Sequence, residues 1–536
     1  MTDKLGRILL LSGPVSSGKS TLANGLAKRC GMFIFKTSEV IVARLGERLR
    51  QDRKALQVEG ERLDRNTRGK WVLEGLRENE DCLNSSRDVI VDSVRINPQI
   101  EAIREAYGQR VLHIHLTAPF DELEQRYNLR RRQGREKPLD YSEVRENPTE
   151  KQVENLAKYA DIVIDTKRCT EQDVLVRTIS HLRTREGRGT GYVDVVVGGQ
   201  YGSEGKGQIV AYIAKEYDLL VRVGGPNAGH TVFEVPKPYP HHQLPSGTRK
   251  SEAQLLIGPG AVLRVGRLLK EISECEVDAQ RLRIDGNAMV ITDDDIKAEA
   301  DLVKNIGSTG QGVGAATARR IMQRNKKTLL ARDIPELKPF LGSSLDILED
   351  AFLGNKRVLL EGTQGTGLSL YHGTYPYVTS RDTSAMGCLA EAGIPPDRVR
   401  RVMMVCRTYP IRVESPEKET SGPLRDLNWE EIARRSGYAA DTLRAAEKTT
   451  TTKRQRRIGE FEWVLLHRAA LLNGATDVAL TFTDYISKKN VDAKRFEQLT
   501  QDTINFIQEI ERVAGAPVSL ISTGFNSRSI IDRRSW

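Results

Sequence analysis

Apolar residues gather along this chain in short runs, each followed by a glycine-bearing turn and then by apolar positions spaced three and four apart. A buried strand leading into an amphipathic helix is the unit of parallel α/β architecture. Residues 7–12 (Arg-Ile-Leu-Leu-Leu-Ser) read as a strand entering Gly13-Pro-Val-Ser-Ser-Gly18-Lys19-Ser20, and from Thr21 to Arg29 apolar residues return at helical spacing (Leu22, Leu26). Val89–Arg95 and Val111–Leu116 read as further buried strands. The same opening recurs at Tyr192–Val197, which enters the glycine-rich stretch Gly198–Gly207 and then a helix marked by Ile209, Val210 and Ile213. Between the two openings, residues 183–191 are charged, rich in glycine and nearly free of apolar side chains, as an exposed linker would be. The pattern predicts an α/β chain of two P-loop-type parallel-sheet domains, residues 1–182 and 192–536, joined by residues 183–191. The halves share their opening and nothing afterwards, so they are not repeats.

Length agrees with this division, since 536 residues exceed what one ordinary core holds. A hydrophobic content of 39% excludes disorder as a description of the whole chain, and 45 glycines without a three-residue period exclude collagen. Lys and Arg outnumber Asp and Glu by 82 to 72, a net charge of +10. Nucleic acid or small phosphorylated substrates would each recruit that excess. No aromatic-interleaved basic patch supports nucleic acid, so small molecules are the expected partners. The cysteines (Cys30, Cys82, Cys169, Cys275, Cys388, Cys406) contain no C-x-x-C pair, which argues against a disulfide framework or a zinc site. No apolar run reaches membrane-spanning length, and Met1–Leu11 lacks the apolar core and cleavage site of a signal peptide. The expected setting is cytoplasmic.

The first glycine loop fits G-x-x-x-x-G-K-[ST] in the strand–loop–helix context that this motif requires. Its glycines (Gly13, Gly18) let backbone N–H groups close around phosphate, and Lys19 reaches the terminal phosphates. Ser20 can hold Mg²⁺, with Thr21 beside it on the helix. An acid and a base, Asp92 and Arg95, end the strand at Val89. Arg126, Arg130, Arg131, Arg132 and Arg135 cluster on a helix and the loop after it, where they could close over a transferring phosphoryl group. Any one of these arginines could equally belong to a solvated helix face. Together with Arg53-x-x-Leu56-Gln57-x-x-Gly60 and Asp92-Ser-Val-Arg95, the cluster resembles the lid of a nucleoside monophosphate kinase. The resemblance implies phosphoryl transfer from a nucleoside triphosphate and leaves the acceptor open.

The second half carries ordered motifs: Gly199-Gln-Tyr-Gly-Ser-Glu-Gly-Lys-Gly207, Gly225-Pro-Asn-Ala-Gly-His-Thr231, His242–Gly247, Ile306–Gly314, Glu361-Gly-Thr-Gln-Gly-Thr366, His372–Ser380, Thr451–Arg457 and Ile521–Gly524. In this order they resemble the adenylosuccinate synthetase family across residues 192 to 536. That resemblance implies a two-step ligation with Mg²⁺: O6 of a purine nucleotide is phosphorylated, and L-aspartate then displaces the phosphate. It assigns His230 and Lys206 to the transferring phosphate and Gln364 to the catalytic set. Asn227, Thr309, Gln364 and Thr379 would hold the purine nucleotide, and the Gly229 carbonyl would hold Mg²⁺. Arg319 would reach the nucleotide of a neighbouring subunit in a homodimer. Thr451, Thr452, Arg454 and Arg456 would grip aspartate, since a guanidinium pairs bidentately with a carboxylate.

Two departures bear on substrate choice. Ser203 stands where the family has the aspartate that removes the purine N1 proton and helps hold Mg²⁺, and a serine hydroxyl serves poorly in both roles near neutral pH. Serine here resembles the 2-aminoadenylosuccinate synthetase branch, which acts on (d)GMP. Phe482 stands where the family has a lysine that helps Asp484 read guanine, so ATP or dATP becomes plausible beside GTP as phosphate donor. The reading is a ligase that leans to (d)GMP over IMP, fused to a kinase. A nucleotide-sensing protein with a dead ligase is the rival, motivated by Ser203 and opposed by the retained His230, Lys206, Gln364 and Arg454.

Overall fold

The computed structural model describes the chain except residues 1–5, 47–52, 80–86, 134–139, 147, 168, 184–190, 235–236, 326–327, 414–424, 448–455, 525–528 and 535–536. The chain divides into two compact units, Met1–Arg188 and Gly189–Trp536.

The first unit is built on a five-stranded sheet in the order Phe33–Lys36, Val89–Asp92, Ile8–Ser12, Val111–Thr117, Ile162–Asp165, every pair parallel. Ile8–Leu11 are completely buried because helices cover both faces of this central strand. Side chains alternate across the sheet: Ile8 and Leu10 enter one apolar cluster with Trp71, Leu76 and Ile103, while Leu9 and Leu11 enter another with Leu22, Leu26 and Ile114. The strand ends directly in the glycine loop, and the helix Lys19–Cys30 follows. Leu11 lies beside Asp92 in register, which brings the acid ending the neighbouring strand to the loop.

The second unit carries a ten-stranded sheet. From one edge it runs Leu341–Gly342, Leu282–Asp285, Gln254–Ile257, Leu219–Arg222, Arg357–Glu361, Tyr192–Gly198, Val399–Arg407, Asp477–Thr481, Val518–Ser522 and Ile530–Asp532. Pairing is parallel up to the last strand, which joins antiparallel at the edge. Tyr192–Gly198 is central, with Val193, Val195 and Val197 packed on one face and Val196 on the other. Ligands in open parallel sheets bind at the carboxyl ends of such strands, and the loops carrying the motifs gather there. Two registers set the chemistry. Arg222 stands beside Glu361, and Arg407 stands beside Thr481. Among the described residues no helix is long and apolar enough to cross a membrane. The α/β architecture with parallel sheets agrees with the hydrophobic pattern.

Candidate active site

In the first unit, Gly13 must be glycine: its φ is 140°, and a Cβ there would meet the Leu116 carbonyl at 2.2 Å. The loop curls so that Lys19 Nζ donates to the carbonyls of Gly13 (2.7 Å) and Pro14 (2.9 Å). Gly18 supplies the left-handed turn before the helix, and Thr21 is exposed on the first turn. Ser20 Oγ donates to Asp92 Oδ2 at 3.0 Å, placing a hydroxyl and a carboxylate together beside the loop. Of the lid arginines, Arg130 donates to Ser16 Oγ in the loop itself. Arg126 is held by Glu122 and by the carbonyl and hydroxyl of Thr166, the last two at 2.9 Å. Arg131 pairs with Asp140 at the surface. Arg135 lies outside the described residues. Arg95 pairs with Glu150, and its backbone N–H donates to Gln99, whose amide in turn donates to the half-buried carboxylate of Asp64.

Behind this loop the sequence concealed a polar pair. His113 and His115 both meet Ser12 Oγ, at 2.6 and 2.8 Å, and burial pushes each down to about 4, so both are neutral. A cavity of about 220 Å³ opens beside them, lined by Pro14, His115, Phe120, Tyr141, Arg145 and Glu154 among others.

In the second unit, Gly205 takes the left-handed conformation that starts the helix Lys206–Ile213. Glu204 is fully buried; it accepts from the N–H groups of Gln200 (3.0 Å) and Gly202 (2.8 Å) and pairs with Lys206 at 2.7 Å. Its carboxylate therefore shapes the loop and positions Lys206. Ser203, half-buried, accepts from Arg407 through its carbonyl at 3.2 Å.

His230 begins a short strand after Asn227 and Gly229 and is almost fully buried. Its Nδ1 lies 2.5 Å from Glu361 Oε1 and 3.0 Å from an Arg222 guanidinium nitrogen. Glu361 also receives the N–H of Ser246 (2.7 Å) and its hydroxyl, and pairs with Arg222 at 2.6 Å. Those partners hold the Glu361 carboxyl far below the usual range despite burial. Burial and the Arg222 charge push His230 down to about 4. Nδ1–H donating to ionised Glu361 leaves Nε2 facing the site, and this buried nitrogen has no partner among the described residues. Asn227 Oδ1 and Thr309 Oγ1 are likewise buried without partners, as groups arranged for a polar ligand would be. Gln364, at φ 66°, donates to Thr379 Oγ1 at 2.6 Å, joining two residues assigned to the purine nucleotide. Its carbonyl and Lys206 Nζ both lie under 3.0 Å from where a Cβ on Gly198 would sit.

Arg319 is held by Asp295 through two hydrogen bonds, 2.9 and 2.8 Å, and donates to the Val290 carbonyl. Thr451, Thr452 and Arg454 lie outside the described residues. Arg456 is described: it meets Glu447 at 2.8 Å, and Glu447 also pairs with buried Arg407 at 2.8 Å and accepts from Tyr485 at 2.9 Å. Burial opposes ionisation of Glu447, but the two guanidiniums prevail and hold it near 2. Phe482 has its ring 3.8 Å from the Arg407 guanidinium, and burial raises Asp484 to about 7. Sequence reasoning gave no role to Arg222, Glu361, Arg407 or Glu447. Glu361 alone carried a signal, as the first residue of a glycine motif at a strand end.

Comparison with known proteins places the larger unit. The adenylosuccinate synthetase family model matches residues 195–334 and 327–491, and a model described as an AAA domain matches residues 9–154. The adenylosuccinate synthetase of Methanocaldococcus jannaschii is 40% identical over 351 residues, covering 64% of this chain and 96% of the relative. That of Thermococcus onnurineus is 39% identical over 350 residues, 63% of this chain and 98% of the relative. Among solved structures, the succinoaminodeoxyadenylate synthetase of cyanophage S-2L, bound to dGMP and dATP as an energy donor, superposes with a TM-score of 0.54 at 29% identity, over 64% of this chain and 96% of that one. The fully ligated adenylosuccinate synthetase from Plasmodium falciparum shares the fold, with a TM-score of 0.54 at 22% identity over 64% of this chain and 100% of that one.

Proposed function

The chain belongs to the adenylosuccinate synthetase family, and on that premise we propose that residues 192–536 join L-aspartate to C6 of a 6-oxopurine nucleoside monophosphate, with (d)GMP favoured over IMP. The observation that carries the reaction class is buried His230, backed by Glu361 and Arg222, with Nε2 unpartnered among the described residues. In the first step O6 attacks the γ-phosphorus, forming an O6–P bond as the bond to the departing nucleoside diphosphate breaks. Negative charge accumulates on the phosphoryl oxygens. By way of water, His230 Nε2 takes up the proton that purine N1 gives up as O6 attacks; the resulting N–H donates to the charged oxygens, and Glu361 at Nδ1 stabilises the imidazolium. Lys206, positioned by Glu204, adds a fixed positive charge. In the second step the aspartate amine, its ammonium proton given to solvent, attacks C6; the C–N bond forms as the C6–O6 bond breaks, and phosphate leaves with O6 carrying one proton shed by the nitrogen, which keeps one N–H. Arg456 stands at the edge of the loop assigned to the aspartate carboxylates.

The preference for (d)GMP rests on Ser203. A carboxylate at this position would face the ring edge that carries N1 and the 2-amino group. A hydroxyl leaves room there and still offers a hydrogen bond. The cyanophage enzyme, solved with dGMP and dATP, supports the same direction. Mg²⁺ bound to the nucleotide phosphates would supply further charge neutralisation. The Gly229 carbonyl suits it as a hard oxygen donor, and in the first unit Ser20, hydrogen-bonded to Asp92, offers a hydroxyl for it. Replacing Ser203→Asp is expected to raise kcat/KM for IMP relative to dGMP by about tenfold or more. An unchanged ratio would remove Ser203 as the determinant.

For the first unit we propose phosphoryl transfer from a nucleoside triphosphate held by Gly13–Thr21, with Arg130 closing on the loop and Asp92 and Arg95 facing the acceptor. The chain is proposed to act as a homodimer in which Arg319 is released from Asp295 to meet the partner's nucleotide.

A further inference from the structure

We propose that Tyr438 sets the base specificity of the ligase's phosphate donor: its hydroxyl engages one oxygen of Asp484 and leaves the other, unpartnered among the described residues, for the donor base, which favours adenine over guanine. This rests on the reading of residues 192–536 as a ligase driven by a nucleoside triphosphate.

Asp484 sits on the single helical turn Thr483–Tyr485, just after the strand Asp477–Thr481, and only 3% of it is exposed. Tyr438, which follows the helix Trp429–Ser436, donates its hydroxyl to Asp484 Oδ2 at 3.2 Å. Asp484 Oδ1 is buried and has no hydrogen-bond partner among the described residues. A buried carboxylate oxygen left unpaired is costly, so it marks a position that a ligand completes.

The position is tied to the phosphate loop. Thr481 Oγ1 donates to the Glu204 carbonyl at 2.6 Å, and the Phe482 ring lies 3.5 Å from where a Cβ on Gly205 would stand. Phe482 adopts φ 59°, and its ring is backed by the Arg407 guanidinium. An aromatic face beside an unpartnered carboxylate oxygen, next to the phosphate loop, suits a purine base.

The count of donors and acceptors then selects between bases. Guanine presents two adjacent donors, N1–H and the 2-amino group, and needs both oxygens of an ionised carboxylate. Tyr438 already donates to one of them and competes with guanine for it. Adenine presents one donor, its 6-amino group, beside the acceptor N1. A single free carboxylate oxygen accepts from that amine. If the carboxyl is protonated instead, its O–H suits N1 and still opposes guanine N1–H. Phe482 adds no polar group that could restore guanine.

The test uses the full-length chain carrying Lys19→Ala, so that the other phosphate loop contributes nothing, and measures kcat/KM for ATP and for GTP from aspartate incorporation. The parent is expected to favour ATP by at least about tenfold. Tyr438→Phe, which frees Oδ2, is expected to move the ATP/GTP ratio toward GTP by at least about tenfold, mainly through the donor KM. Tyr438→Leu, measured alongside, removes the same hydroxyl with a different shape, so the outcome does not hang on one variant's folding. A parent that prefers GTP, or a ratio unmoved by both substitutions, overturns the assignment. Absence of ligation with either donor instead removes the ligase reading, and competition of ATP and GTP against a fluorescent ATP analogue then still decides the role of Tyr438.

Discussion

At the scale of single residues, the site is controlled by buried charges whose partners arrive from distant parts of the chain. Glu361 is surrounded by Arg222, His230 and Ser246, and without it the Arg222 guanidinium would be buried and unpaired. Glu361→Gln is expected to lower stability by about 3–5 kcal/mol. It is also expected to reduce kcat far more than it raises the substrate KM, because the imidazolium needed only in the transition state loses its support. Equal changes in kcat and KM would show that Glu361 merely holds the fold. Glu447 gives a pH signature. Its folded value of about 2, against an ordinary value of 4.5, means that it stabilises the native state fully above about pH 4.5. That contribution falls away as pH drops toward 2. Chemical denaturation between pH 5 and 2 is expected to show a steeper loss for the parent than for Glu447→Gln, although the variant starts less stable.

At the scale of elements, backbone registers do what no local motif announces. The glycine loops at Gly13 and Gly205 were legible because strand, turn and helix are contiguous, and each glycine answers a local requirement. The strands at Ile8, Val89, Val111 and Tyr192 were legible from their apolar runs. The Arg222–Glu361 pair was not, because it exists only when strands far apart in the chain lie side by side. Arg407 and Glu447 escaped for the same reason, since the former ends a strand and the latter follows a helix. Gly207 shows how tightly the elements meet. It lies in a helix, where Ala is ordinarily favoured, but an added Cβ would come within 2.8 Å of His230 Cβ and 3.2 Å of Ser246 Oγ. Gly207→Ala is therefore expected to shift His230 and lower kcat by about tenfold to a hundredfold. Full activity in this variant, measured by aspartate incorporation, would show that His230 does not need its present position.

At the scale of the whole molecule, two compact units each present a glycine loop at the end of a central parallel strand, and the arginines gathered there meet loops and acids. On the proposed reading the chain carries two phosphate chemistries, and Ser203 distinguishes the larger unit's proposed substrate from that of the family at large. The measurement that bears most directly on this account follows isotopically labelled aspartate into product mass, with the full-length chain, Mg²⁺, ATP or GTP, and IMP, GMP or dGMP offered in turn. The account predicts a succinylated 2-aminopurine nucleotide from GMP or dGMP, formed faster than any product from IMP. Product from IMP alone would contradict the role given to Ser203, and no labelled nucleotide from any combination would contradict the ligase itself.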